Sequence, residues 1–194
     1  MRGDDALLTV SGQYPVEIRP VNDVPSVLDE VLGVYARAFA APPYARAEDA
    51  VNQFAEILIE RHIHRDDFRM IGAFNAGQLV GLAYGYHGGP GQYWHDLVRL
   101  ALGERLAGEW LDDAFELAEF AVLPAYQARG IGSRLHNALL SGIPYRTAIA
   151  TTIRDNNPAL DFYLRRGWVI LRDDFRFPGA VHEQAIIGRA LRAD

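Results

Sequence analysis

Cysteine is absent from all 194 residues, which excludes disulfide frameworks, thiolate zinc sites and a cysteine nucleophile. Acid–base or nucleophilic chemistry must therefore come from other side chains. Long apolar runs are missing too: nothing approaches the roughly 18–20 residues that span a bilayer. Met1-Arg-Gly-Asp-Asp5 has no basic stretch leading into a hydrophobic one, so a cytoplasmic protein without a membrane partner is expected. An excess of positive charge is also lacking. With a net charge of −6 and a pI near 5.5, the chain has the wrong sign for gaining affinity by neutralising phosphates, which argues against nucleic acid as a partner. The acidic balance suits a cationic amine and serves solubility equally well. Six histidines include His62-Ile-His64, but no H-E-x-x-H spacing occurs and no metal is expected.

What is present reads as an ordinary globular chain, 49% apolar and 23% charged, of a length that fits one domain over residues 1–194. Val16 to Arg19 alternates as a strand. Asp23 then caps a helix carrying Val24, Val27, Leu28, Val31, Tyr35, Ala38 and Phe39. After the Ala-Pro-Pro-Tyr break at 41–44, Val51, Phe54, Leu58, Ile59 and His62 mark a second helix. Phe68 to Phe74 and Gln78 to Tyr86 form a hairpin about Asn75-Ala-Gly77, since Asn and Gly tolerate the positive φ of tight turns. An insertion from His87 to about Asp113 holds Tyr93, Trp94 and His95 and a short helical pattern from Leu97 to Leu106. Those three rings either line a pocket or cap the core. A β-α-β unit follows: strand Phe115 to Leu123, helix Gly130 to Leu140 with Ile131, Leu135, Ala138 and Leu139 inward, strand Thr147 to Ile153. Pro158 to Arg166 is a helix stopped by Gly167, and Trp168 to Leu171 and Glu183 to Gly188 are the last strands.

The most informative segment is Gln127-Ala-Arg-Gly-Ile-Gly132, a strand-to-helix turn. Its glycines let the backbone curl toward a ligand, and the unpaired N–H groups of the new helix favour phosphate oxygens. A dinucleotide fingerprint fails because Leu135 stands at the third glycine position, and a P-loop fails because Ser133-Arg134 follows Gly132 in place of Lys-Ser/Thr. Along the preceding strand, Phe115 and Leu117 share one parity and Phe120 and Val122 the other; either a bulge near Ala118 or weak patterning accounts for the change. Glu116 and Glu119 flank that position.

Phe120-Ala-Val-Leu-Pro124 leading into Gln127-Ala-Arg-Gly130-Ile-Gly132 resembles the central motif of the GNAT N-acetyltransferase superfamily. Asn156-Asn-Pro-Ala159, with Tyr163 and Gly167-Trp168 beyond it, resembles a second block of that family. The resemblance is detailed over residues 115–172, the cofactor-binding core; the order of earlier elements is also similar, with residues 20–113 as the acceptor side. It implies an α/β (α+β) fold with a central mixed, mostly antiparallel, splayed sheet of about six or seven strands flanked by helices. It further implies acetyl-CoA as cosubstrate, no metal, and direct transfer through a ternary complex to an amine on a small molecule, peptide or protein. By the same resemblance the backbone of Phe120, Ala121 and Val122 pairs with the pantetheine arm. Gln127, Ala128, Arg129, Gly130, Ile131, Gly132 and Ser133 wrap the pyrophosphate, Asn156 contacts the cofactor near its arm, and Tyr163 is the general acid. Because an ammonium has no lone pair, a base is needed, and Glu116 or Glu119 can act through a water. Thr151 stands where some members carry an acid. The alternative is a non-catalytic acyl-CoA sensor or interaction module of the same fold, and homodimers are common in the family.

Overall fold

The computed structural model describes residues 15–45, 48–155 and 158–191. Seven strands, β1 (Glu17–Pro20), β2 (Arg69–Asn75), β3 (Gln78–His87), β4 (Ala114–Val122), β5 (Thr147–Ile153), β6 (Val169–Phe175) and β7 (Gln184–Ala190), form one open sheet in the order β1-β2-β3-β4-β5-β7-β6. Only β4 and β5 run parallel; every other pair is antiparallel. Among the described residues the α-helices are α1 (Leu28–Ala38), α2 (Glu48–Glu60), α3 (Tyr93–Trp110), α4 (Ile131–Leu140) and α5 (Pro158–Leu164). This is the α/β architecture with a mixed, splayed sheet that the motifs implied. No helix among the described residues is long and apolar enough to cross a membrane.

Alternation places the core on both sheet faces, where each fully buried large side chain contributes about 2 kcal/mol. Val31, Val34 and Tyr35 of α1 and Phe54 and Leu58 of α2 cover one face, against Met70, Leu82 and Tyr84. Leu135 and Leu139 of α4 and Tyr163 of α5 cover the other, against Ala83, Phe115 and Ala148. Val98 and Leu102 of α3 pack on Ile149 and Ile186.

Several local details differ from the expectation. Asp23 Oδ1 does accept the Ser26 N–H at 3.3 Å, but a 3-10 turn over Pro25–Val27 intervenes before α1. In the β2–β3 hairpin the two left-handed residues are Ala76 and Gly77, with φ of 49° and 82°, while Asn75 stays paired in its strand. Helix α2 ends at Glu60, so His62 and His64 sit on a separate 3-10 turn. The short helix expected at 97–106 is an 18-residue helix broken at Gly103, whose φ is 72° and ψ 162°. That break re-phases the buried side: Val98 and Leu102 face inward before it, Ala107 and Leu111 after it, which blurs any single helical period. In α4 the sequence pattern missed His136, which is fully buried and accepts the Trp168 indole N–H at Nε2, 2.9 Å away.

The feature that positions the site lies in β4. Tyr84 pairs with Glu119 and Gly85 with Leu117, so Ala118 is the bulged residue, and Phe115, Leu117, Phe120 and Val122 all reach the same core. At Gly85 a Cβ would come within 2.3 Å of the Glu116 carbonyl oxygen, so the close strand approach beside the bulge requires glycine. β4 and β5 pair only over Ala114↔Thr147, Phe115↔Ala148 and Glu116↔Ile149. Beyond Glu116, β4 continues with β3 and β5 continues with β7, and the two strands part.

Candidate active site

The parting strands open a cleft of about 970 Å³. One wall is β4 from Leu117 to Val122 and the other is β5 from Thr151 to Ile153. Leu123 N–H bonds Val80 O, so by the alternation of an antiparallel pair the backbone groups of Phe120 and Val122 turn toward the open edge, while those of Ala121 turn toward β3. Two of these edge groups already have side-chain partners. Glu119 accepts the Phe120 N–H at 3.2 Å, and Gln127 Nε2 donates to Val122 O at 2.9 Å.

At one end of the cleft the chain turns into α4. Ala128 and Gly130 take positive φ, 57° and 76°, and Gly130 is the residue that starts the helix. Their curl aims the first N–H groups of α4 at the cleft end, a ready anion site. Gln127, Ala128, Gly130, Gly132 and Ser133 line the cleft, whereas Ile131 is buried in the core and Arg129 lies over the Tyr126 ring, 5.7 Å from its centroid. A Cβ on Gly132 would stand 3.3 Å from the Phe162 ring, which keeps this wall narrow. Two cations that the sequence reading did not single out, Arg165 and Arg166, border the same end. Arg166 lies on Phe162 and donates to the Ser133 hydroxyl. No sequence signal marked them, because their direction depends on how α5 docks. Asn156 lies outside the described residues.

At the other end, Phe39, Tyr44, His62, Tyr86, Trp94 and Glu116 close the cleft. Glu116 is 3% exposed, and this burial pushes its carboxyl up to about 7 against the opposing pull of the Tyr86 hydrogen bond and Arg65. Tyr86 O–H donates to Glu116 Oε1 at 2.8 Å. Having given its one proton, Tyr86 accepts at its oxygen from His62 Nε2–H, 3.2 Å away, and His62 Nδ1 accepts from Tyr84 O–H at 2.9 Å. Burial, with Arg65 and Arg61, lowers His62 to about 4, so the ring is neutral and supplies one donor and one acceptor to this chain. Tyr86 and His62 were missed as site residues. Their signal exists only in three dimensions, where β3 and the turn after α2 meet β4.

Tyr163 is 5% exposed and edge-on to Trp168, and it faces the cleft between the two ends. Burial first, then the neighbouring Tyr44 and Glu119, raise its pKa, so its hydroxyl remains protonated. Of the three rings at 93–95, only Trp94 reaches the cleft, donating to Thr151 Oγ1 at 3.2 Å; Tyr93 is on the surface and His95 lies buried beneath. Among the described residues no group of three or more His, Asp or Glu is placed to hold a metal.

Residues 31–168 match the model of the acetyltransferase (GNAT) family. The chain is 36% identical over 121 residues to a GCN5-like protein acetyltransferase of Mycobacterium tuberculosis, a match covering 58% of this chain and 59% of that protein, so it spans little more than half of its relative's length. Its fold is similar to the PaiA N-acetyltransferase of Thermoplasma acidophilum, solved with coenzyme A, with TM-score 0.61 and 15% identity over 91% of this chain and 99% of that one. It is likewise similar to the ribosomal-protein-S18-alanine N-acetyltransferase of Escherichia coli, with TM-score 0.63 and 15% identity over 93% and 96%.

Proposed function

The chain belongs to the GNAT acetyltransferase family, and from that premise we propose that it transfers an acetyl group from acetyl-CoA to an amine by direct attack within a ternary complex. The observation that carries this reading is the cleft itself. An anion-holding helix start and a buried carboxylate with a pKa of about 7 stand at its opposite ends, with an open strand edge between them.

The residues present fit coenzyme A. The α4 N-terminus, Arg165 and Arg166 hold the pyrophosphate, and the open edge at Phe120 and Val122 takes the amide-bearing arm in place of the strand that β5 does not supply. For this the Glu119 carboxylate swings off the Phe120 N–H, which makes Glu119 a placeholder at the cofactor edge and leaves Glu116 as the base. At neutral pH a carboxyl titrating near 7 is partly ionised and still basic enough to take a proton from an ammonium, directly or through a water. The neutral amine attacks the thioester carbonyl, and main-chain N–H groups near Val122 polarise its oxygen. Tyr163, kept protonated by burial, donates its proton to the departing sulfur. No covalent enzyme intermediate is needed.

The acceptor enters past Phe39, Tyr44 and Trp94. The Mycobacterium tuberculosis relative is a GCN5-like protein acetyltransferase, which supports trying peptide and protein amines before polyamines, amino acids and aminoglycosides. The test is release of free coenzyme A thiol from acetyl-CoA over such a panel. Acceptor-dependent release that collapses in Glu116→Gln and falls in Tyr163→Phe supports the assignment. Failure of the protein to bind acetyl-CoA overturns it.

A further inference from the structure

Three side chains touch in series before the chain of contacts reaches Glu116. Tyr84 and Tyr86 stand two residues apart on β3 and both reach the sheet face under α1 and α2, while the 3-10 turn over His62–His64 lays an imidazole between their hydroxyls. His62 Nδ1 is 2.9 Å from the Tyr84 oxygen, and Nε2 is 3.2 Å from the Tyr86 oxygen. The Tyr86 oxygen is in turn 2.8 Å from Glu116 Oε1. Each ring nitrogen therefore faces one hydroxyl, and a neutral imidazole carries one proton, so two arrangements exist. With the proton on Nε2, Tyr84 donates to Nδ1, Nε2–H donates to the Tyr86 oxygen, and the Tyr86 proton is left for Glu116. With it on Nδ1, Nε2 becomes an acceptor that competes with Glu116 for the single proton of Tyr86. An ionised carboxylate is the stronger acceptor, and the shorter of the two Tyr86 contacts is the one to Glu116.

We propose that His62 is a positioning residue for the catalytic base: held by Tyr84 in its Nε2–H form, it donates to Tyr86 and so commits the Tyr86 proton to Glu116 Oε1. The inference rests on the reading of Glu116 as the base and extends it to two residues, His62 and Tyr84, that act on the carboxylate through Tyr86. A hydroxyl that accepts a hydrogen bond is a stronger donor, because bonds along a chain polarise one another. The series thereby stabilises the ionised carboxylate and keeps its proton affinity below what burial alone would impose, in the direction that the Tyr86 bond pulls against desolvation. A neutral ring is required, and His62 titrates at about 4, lowered by burial and then by Arg65 and Arg61. The titratable and charged groups around the series are Arg61 and Arg65 from the turn after α2, Tyr84 and Tyr86 from β3, and His95 from α3, which borders Gly88 together with Glu116 Oε2.

The experiment reads the ring and the carboxyl separately in the full chain. Nitrogen NMR of labelled histidine gives the His62 tautomer, its signals identified by loss in His62→Leu, and an infrared titration gives the Glu116 midpoint, its band identified by loss in Glu116→Gln. The parent shows a neutral ring protonated at Nε2 when Glu116 is ionised, and a carboxyl midpoint of about 7. Tyr86→Phe raises that midpoint by about one to two pH units, the effect of losing one hydrogen bond to the charged form. His62→Leu, which leaves Tyr86 in place, raises it by about half a unit, and His62→Gln, whose amide keeps a donor for Tyr86, returns most of that shift. Tyr84→Phe, which removes one hydroxyl and keeps the ring in the core, turns the His62 signal into a mixture of both tautomers and moves the midpoint the same way, and the acid limb of kcat/KM follows it. A parent ring protonated at Nδ1 while Glu116 is ionised, or a midpoint unmoved in both His62→Leu and Tyr84→Phe, overturns the positioning role; should His62→Leu fail to fold, Tyr84→Phe decides alone. Retention of turnover by Glu116→Gln instead overturns the base reading and leaves the tautomer and midpoint results standing, so the two failures are distinguishable.

Discussion

Replacing Glu116 by glutamine should stabilise the protein at alkaline pH while abolishing its activity. Burial raises the carboxyl from 4.5 to about 7 in the folded state, so between those values the folded chain holds a proton that the unfolded chain has released. Folded stability therefore declines as pH rises through this window, and above about 7 the ionised, buried side chain costs its full amount. A shift of this size corresponds to about 3 kcal/mol, or about 6–12 °C in Tm for a chain of this length. Glutamine keeps an acceptor for the Tyr86 hydroxyl and carries no charge, so the difference between parent and variant is small near pH 4.5, widens to pH 7 and then levels off. Calorimetric melts of both proteins at half-unit steps from pH 4.5 to 8.5 give that difference directly. The dependence on pH is the diagnostic quantity, because any fixed contrast between amide and acid cancels. A gap that stays flat across the range refutes the claim that burial holds this carboxyl near neutrality, and with it the choice of Glu116 over Glu119.

Tyr163→Phe should lower kcat by about 10²-fold with KM little changed, the loss expected of the general acid proposed for the leaving sulfur; a nucleophilic displacement assay with a better thiol leaving group should recover part of the loss. Arg166→Ala removes a cation that bonds Ser133 at the start of α4, and coenzyme A affinity measured by calorimetry should fall about tenfold at low ionic strength and less at high salt. All 19 basic residues other than histidine are arginine, and the chain has no lysine. Intact mass after prolonged incubation with acetyl-CoA should therefore show no ε-acetylation of the enzyme itself, and lysine-acetyl signal in assays of protein acceptors belongs to the acceptor alone.

The parts of this protein written locally were legible in its sequence. The parity change between Leu117 and Phe120 announced the bulge, since alternation along a strand cannot switch faces without an extra residue. Gly130 and Gly132 before an apolar-periodic stretch announced the tight strand-to-helix turn at the start of α4, since positive φ and close approach are properties of single residues. What the sequence left open depended on distant segments meeting. Helix α3 was underestimated because the kink at Gly103 splits its buried side into two phases. Glu116 and Glu119 looked equivalent along β4, and the fold separated them: one carboxylate folds back onto the Phe120 N–H, while the other is closed over by β3, α3 and the turn after α2. The proton affinity of a carboxyl is set by desolvation and by the charges and hydrogen bonds around it. For Glu116 those come from Tyr86 and Arg65, far away in the chain, and only tertiary packing brings them to it.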